Sequence, residues 1–491
     1  MFTVHPSLGG LDVSSDATVL DPNFGTVMDN IEFLEGGQRK KRLGLQVYST
    51  STSHTTTGAM ISTAVAVRAV ADFWRYGATL TPTQHLVAVS GASLFNSTGD
   101  GKWTSLNGAA SSFGAATNVN TMITIAGDYA VISDESATPI AYNQSTLKDS
   151  QTATEGGSTW ALWPRFTGSR YHLDRLFMWG ISTAPSRVVY TAAGNIFDTT
   201  STGSNFKIAE GDGDRVIGAS KPFYASMYFF KGPQYGSLWQ LSGVGSTDFA
   251  MVQVGYGAPL VNQRAVVTTP SDIFWMSQYG IHSLQTTVKY GNVEEAFLSL
   301  PIQKLWREGL IRRDRLDETW AFWHPQRSIV GWAVIPVGET THRWLLMYNY
   351  ALSDPKPGGK KFWAIWKFNN NDLTCGDTFL IPGTWNTLVS RNRAGQPAPI
   401  LGDTNGNVFI NDWTGLSDYG NAYTATVRTP VLTRFATDRQ QLIPETQEKG
   451  FVGIVTYFNP TAAVSADVSV WVDRRLQSTT ISLVGGGATL T

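Results

Sequence analysis

Thr319-Trp-Ala-Phe-Trp323, Ser328-Ile-Val-Gly-Trp-Ala-Val334, Arg343-Trp-Leu-Leu-Met-Tyr348 and Phe362-Trp-Ala-Ile-Trp366 are short apolar runs separated by turn residues. β-Branched and aromatic side chains dominate them, the composition of strands rather than helices. Runs of the same kind lie on both sides: His85–Ser90, Ala92–Phe95, Met122–Ile132, Arg175–Trp179, Arg187–Tyr190, Met227–Phe230, Ser237–Leu241, Asp272–Met276, Pro399–Gly402 and Asn407–Ile410. Asn405-Gly406 between two of them predicts a type I′ hairpin, which needs positive φ at both central residues. Asp100-Gly101 and Tyr279-Gly280 are weaker turn signals. The runs group at about 40–50 residues, the spacing of a four-stranded propeller blade. The interval from residue 66 to 415 holds roughly seven such units, and six or eight fit the same count.

The expected architecture is therefore all-β: a β-propeller of about 6–8 blades over residues 66–420. An extended N-terminal arm with the first strands occupies 1–65, and a small C-terminal β domain occupies 421–491. Ser49–Thr57 reads as a polar loop. One segment breaks the pattern. Pro301-Ile-Gln-Lys-Leu-Trp-Arg-Glu-Gly309 has proline at a helix start, Ile302, Leu305 and Trp306 on one face, and a glycine stop. It predicts one short amphipathic helix. In the tail, Val464 to Val472 alternates apolar and polar residues, as a half-buried strand does.

Composition bounds the function. The 491 residues carry 37 Lys+Arg and 38 Asp+Glu, a net charge of −1, and only 15% are charged, against about 25% in ordinary globular chains. Such balance argues against a dedicated nucleic-acid binder and against a disordered acidic chain. With Cys375 as the single cysteine, there is no intramolecular disulfide and no cysteine-based zinc cluster. The N-terminus lacks the pattern of a signal peptide. The most apolar window, Ala59–Trp74, is interrupted by Ser62, Thr63, Arg68 and Asp72, so no membrane insertion is expected.

Catalytic signatures are thin. The histidines at 5, 54, 85, 172, 282, 324 and 342 show no metal-ligand spacing. There is no Gly-x-Ser-x-Gly elbow, and Gly101-Lys102 lacks the upstream glycine of a phosphate loop. Gly211-Asp-Gly-Asp-Arg215 lacks the distal glutamate of a calcium loop and reads as a turn. The strongest catalytic alternative is a glycosidase, which needs two carboxylates about 5–10 Å apart. However, Asp100, Asp134, Asp212, Asp214 and Asp403 fall at turns and polar edges. Ser97–Trp103 is only loosely similar to the aspartate box of sialidase propellers. No enzyme activity and no cofactor are expected.

Several phrases in order resemble the propeller-bearing tail nozzle or hub proteins of short-tailed bacteriophages. Asp29-Asn-Ile-Glu-Phe-Leu-Glu-Gly-Gly-Gln-Arg-Lys-Lys-Arg-Leu-Gly44 is similar to that family's opening phrase, and His172-Leu-Asp-Arg-Leu-Phe-Met-Trp-Gly180 with Arg187-Val-Val-Tyr190 to one of its blades. Phe223–Gly232 through Leu238–Gly243, and Val252–Pro259 through Phe274–Leu284 to Leu298–Ile302, are similar to those that follow. The resemblance covers residues 8–415 and leaves 421–491 without a match. It implies a structural virion protein, forming a homo-hexameric ring below the portal and adaptor in the tail, assembled in the host cytoplasm. Such a ring lets DNA pass without binding it specifically and carries fibres or a plug. On that reading, Arg39, Lys40, Lys41 and Arg42, or Arg312 and Arg313 beside Arg307 and Arg315, are candidate contacts between subunits or with the neighbouring ring. Intrachain pairing or a solvated edge is the plainer account of both clusters. The alternatives to a structural role are a carbohydrate-active propeller and a receptor-binding propeller.

Overall fold

A computed structural model describes residues 9–16, 20, 24–34, 39–48, 65–76, 82–98, 103–106, 120–134, 138–145, 147–149, 154–155, 158–159, 163–199, 205–284, 298–354, 359–368, 372–380, 396–411, 417–428, 465–468, 471–472, 475–476 and 481–484. The chain forms two compact units, Thr3–Leu432 and Thr433–Thr491.

The first unit is a seven-bladed β-propeller. From the innermost strand outward, blade 1 is Val67–Tyr76, Pro82–Ser90, Ser93–Ser97 and Thr104–Ser105. Blade 2 is Met122–Ala126, Tyr129–Ser133, Ile140–Tyr142 and Leu147–Asp149; blade 3 is Gly168–His172, Arg175–Trp179, Arg187–Tyr190 and Asn205–Lys207. Blade 4 is Arg215–Ala219, Met227–Gly232, Ser237–Ser242 and Ala250–Tyr256, and blade 5 has three strands, Val266–Thr268, Ile273–Met276 and Ile281–Ser283. Blade 6 begins Trp320–His324, Ile329–Val334, Trp344–Asn349 and Phe362–Lys367; blade 7 begins Leu373–Leu380, Pro397–Asp403 and Val408–Ile410. Each innermost strand packs beside that of the next blade, except that blade 4 meets blade 5 through the turn Gln263–Ala265, and blade 7 returns to blade 1. The ring is closed.

Each blade is sandwiched between two others, so its middle strands bury both faces. Ile329–Val334 is buried at every residue, as is Ile273–Met276. A strand buried on both faces has no room for charge, which accounts for the low charged fraction within a single subunit. Tryptophans complete the blade contacts with their indole N–H groups: Trp179 donates to Ile217 O at 3.1 Å and Trp332 to Ala265 O at 3.2 Å, each from one blade to the next.

The chain's beginning is stitched into its end. Gln46–Val47 is the outermost strand of blade 7, antiparallel to Val408–Ile410. Val27–Asp29 adds to Phe362–Lys367 in parallel, and Thr426–Arg428 pairs antiparallel with Val27–Asp29, making blade 6 six-stranded. A hairpin of Ile31–Phe33 and Arg39–Lys41 lies between these segments. The polar stretch Ser49–Thr57 is outside the described residues.

The predicted helix is present as a 3₁₀ turn, Leu300–Ile302, running into Lys304–Arg307, with Ile302, Leu305 and Trp306 buried. Gly309 follows at φ 64°, the left-handed stop. The Asn405-Gly406 turn differs from expectation. Only Gly406 has positive φ (82°), because Asp403 accepts from the backbone N–H of Asn405 and Asn407 at 2.9 and 2.7 Å and organises a longer loop. The type I′ hairpin lies instead at Leu173-Asp174, both left-handed at φ 49° and 55°. In the second unit, Ser465–Val468 pairs with Ile481–Val484 and Trp471–Val472 with Arg475–Leu476.

Candidate functional site

Propellers act through the shaft on their axis and the loops at its ends. The entry end, where the innermost strands begin, is crossed by three consecutive side chains from the connection between blades 4 and 5. Asn262 caps the turn Gln263–Ala265 by accepting from Arg264 N–H at 2.9 Å. Its amide donates to Asn120 Oδ1 at 2.8 Å and to Asp317 O. Gln263 donates to Thr167 O at 2.7 Å and Asn120 O at 3.2 Å. Arg264 reaches Arg68 O at 3.2 Å, Glu318 O at 3.3 Å and Thr374 O at 3.5 Å. These acceptors lie at the starts of blades 1, 2, 3, 6 and 7. Burial pulls the Arg264 guanidinium down to about 10, and burial, helped by Arg264, pulls His342 down to about 3.

Deeper in the shaft the lining is polar and mixed in sign. Arg170 of blade 3 donates to Ser169 O at 3.4 Å and sits 3.7 Å from Met122 Sδ. Its pKa is lowered to about 10 by burial, with Asp377 of blade 7 opposing. Lys221 lies 3.9 Å from Asp377 Oδ1. Asp72 accepts from Gln84 Nε2 at 2.8 Å, Leu380 N at 2.8 Å and Trp74 Nε1 at 2.9 Å. Burial raises its pKa despite those donors, which occupy the lone pairs a general base needs.

The first basic cluster is divided by the fold. Arg42 is buried. Its guanidinium makes a bidentate pair with Asp418 at 2.5 and 2.8 Å and donates to Asn30 Oδ1 at 3.0 Å, Leu43 O at 3.1 Å and Lys367 O at 3.3 Å. The rings of Tyr423 and Phe368 lie 4.0 and 4.4 Å from it. Asn30, at φ 56°, also donates to Thr424 O at 2.7 Å and accepts from Lys367 N at 2.8 Å. Arg42 is thus an internal clamp and presents nothing to a partner. Arg39 is half-buried, donates to Gly9 O at 3.2 Å, and is lowered to about 10 by burial. Lys40 and Lys41 are exposed, Lys41 standing 4.2 Å over Tyr423.

Of the second cluster, Arg312 and Arg313 line an open groove of about 610 Å³ together with Gly309, Ile311, Asp314 and Val337–Thr340. Arg312 pairs with Asp314 at 2.5 Å, which raises its pKa. Arg315 pairs with Glu318 at 2.5 Å and donates to Thr340 O at 2.6 Å. Arg313 is exposed, and no acid among the described residues pairs with it.

The acids noted from sequence hold structure together. Asp134 is buried against Arg68. Asp214 accepts from the N–H of Gln234, Tyr235 and Gly236. In the Gly211–Arg215 loop a cation is supplied internally: Lys231, fully buried, directs its ammonium to Asp212 Oδ1 and Oδ2 at 2.6 and 2.7 Å, Ile208 O at 2.8 Å and Ala209 O at 3.0 Å. Asp100 is outside the described residues. Sequence reading missed the Lys231 arrangement and the Asn262–Arg264 bridge, because their partners are remote in the chain and no local spacing announces them. Ser277 and His282 approach to 2.7 Å, but both are buried and the hydroxyl accepts from the N–H of Tyr279 and Gly280, which makes it a turn-former. Among the described residues no three His, Cys, Asp or Glu side chains gather as a metal site, and no helix is long and apolar enough to cross a membrane.

No family model matches the sequence, and no curated protein matches it. Solved structures align with the chain at 9% identity. YCF48 bound to D1 peptide aligns with a TM-score of 0.38 over 75% of this chain and 99% of its own. The WD40 propeller domain of Doa1 gives 0.38 over 75% and 96%, and a chain of the mitotic checkpoint complex 0.40 over 75% and 97%.

Proposed function

We propose that this chain is a structural virion protein, a subunit of the ring that closes a short phage tail beneath the portal and adaptor. The observation that carries the reading is the fate of the opening phrase Asp29–Gly44. Its asparagine, arginine and final glycine act together: Asn30 and Arg42 bond each other and Lys367 at the end of the fourth strand of blade 6, while Gly44 lies so close to Ser417 that a Cβ would sit 2.0 Å from its carbonyl oxygen. The asparagine and arginine of that phrase thus belong to one clamp that ties the start of the chain to blade 6 and to Asp418. The acids and the serine–histidine pair described above are engaged in structural bonds, which also favours a building role over a reactive one.

A ring of such propellers leaves any DNA passage on the axis between subunits, since the Asn262–Arg264 bridge obstructs the subunit's own shaft. The test is addition of the purified full chain to portal–adaptor complexes, followed by electron microscopy. A further ring of density at the adaptor end is expected. Failure to bind, together with sugar release from host polysaccharide, would move the chain to the carbohydrate-active class.

A further inference from the structure

We infer that the rim of blade 4 and the rim of blade 6 are the two halves of a contact between copies of this chain. The inference rests on the ring reading for its occupant and adds the surfaces. Blade 4 ends in Ala250-Met-Val-Gln-Val-Gly-Tyr256, an uncharged seven-residue strand that among the described residues is paired on one side only. Natural sheets blunt such edges with short strands, charges or covering segments. That is what the other blades do: Thr104–Ser105, Asn205–Lys207 and Gln46–Val47 are two or three residues long, and the edge of blade 5 is covered, with Ile281 O accepting from Leu298 N at 3.0 Å and Ile281 N donating to Ser299 Oγ at 2.9 Å.

The blade 4 rim also exposes large apolar side chains: Val244 is 77% exposed, Val252 53%, Tyr256 58% and Tyr235 52%. Between Lys231 and Arg264 the chain has a single charged residue, Asp248. Its exposed carboxylate is held by the N–H of Val244 and Gly245, and those bonds lower its pKa.

The blade 6 rim is the complement in charge. Its outermost strand, Thr426–Arg428, is exposed at every residue and has no strand on its outer side among the described residues. Exposed Lys41 stands over Tyr423, three residues before that strand, and exposed Lys40 is its neighbour in the hairpin with Ile31–Phe33. The neighbouring acids have nearer partners: Asp29 pairs with Lys367, Glu32 with Arg327 and Asp418 with Arg42, while Lys40 also faces Glu32 and Lys41 faces Asp418. One rim is apolar with a lone acid; the other is basic.

Two different patches on one subunit make a head-to-tail contact that closes into a ring only at suitable angles. Blades 4 and 6 are two steps apart in a ring of seven, so their rims point about 100° apart. With propeller axes parallel to the assembly axis, a ring of five or six copies needs about 108–120°.

The test is sedimentation velocity of the isolated full chain over roughly 1–100 µM, a range that spans ordinary specific association. Wild type should associate with rising concentration. V252K sets a lysine against the basic rim, and the K40E/K41E double substitution sets acids against Asp248. Each should raise the association midpoint by about tenfold or more, with unchanged circular dichroism. D248N, which keeps an oxygen for the local cap, should raise it a few-fold. An equimolar mixture of V252K with K40E/K41E should recover association, because an alternating six-membered ring again places opposite charges at every contact, and a five-membered one at all but one. A wild-type chain that stays monomeric throughout, or a mixture that does not recover, overturns the inference. If all variants associate like wild type and still bind portal–adaptor complexes, the surfaces are wrong and the ring reading stands.

Discussion

Lys231 and the buried histidines carry the clearest consequences of single side chains. Removing the ammonium of Lys231 takes the cation from Asp212, whose carboxylate keeps only the N–H of Asp214, and the ammonium donor from the carbonyls of Ile208 and Ala209. K231M should therefore cost about 3 kcal/mol, read as a lower urea midpoint, and added calcium should not stabilise the wild-type loop. A K231M midpoint equal to wild type would show that solvent takes over the role. Burial holds His282, His324 and His342 near 3, below the ordinary 6.5. The folded state keeps them neutral while the unfolded chain protonates them below about 6.5, so their contribution is complete above that pH and falls away toward 3. Glu32, Asp72 and Asp403 are raised by burial and act in the opposite sense, favouring the fold as pH falls from their raised values toward the ordinary carboxylate range. The denaturation midpoint should decline from pH 6.5 to 5, as the three deeply lowered histidines outweigh the raised carboxyls. A flat profile there would contradict their burial.

At the scale of elements, the legible and illegible parts divide by how far each depended on neighbours in sequence. The helix at Lys304–Arg307 was readable because proline, the apolar stripe and Gly309 are all local. The strand runs were readable because burial on both faces leaves them continuously apolar. Turn geometry was not: Asn405-Gly406 yielded to the carboxylate of Asp403, and Leu173-Asp174 took the left-handed pair without any glycine. The basic run at residues 39–42 was misleading for a related reason. Four adjacent cations look alike in sequence, yet Asp418, more than 370 residues away, draws Arg42 inward and leaves Lys40 and Lys41 outside. Arg42 should tolerate no simple replacement: R42K loses the planar bidentate geometry and R42A leaves Asp418 buried without its cation. Losses of about 2 and 3–5 kcal/mol are expected, measured by chemical denaturation. Equal stability of R42K and wild type would show that charge alone holds the clamp.

For the whole molecule, closure of the ring depends on a segment from its beginning. Deleting residues 1–48 removes the outer strand of blade 7 and the inner of the two strands added to blade 6, exposing their backbone N–H and C=O groups. The shortened chain should aggregate or elute as an expanded species in gel filtration, whereas a compact monomer with native melting would refute the dependence. The same stitching orders events during synthesis. The backbone pairing of Thr26 with Arg428 spans 402 positions, so at roughly 5–20 residues per second the earliest strands wait some tens of seconds after leaving the ribosome before their partners exist. Until then every nascent copy presents open sheet margins in a crowded polysome, and premature mispairing between sister chains is the hazard its cell must manage.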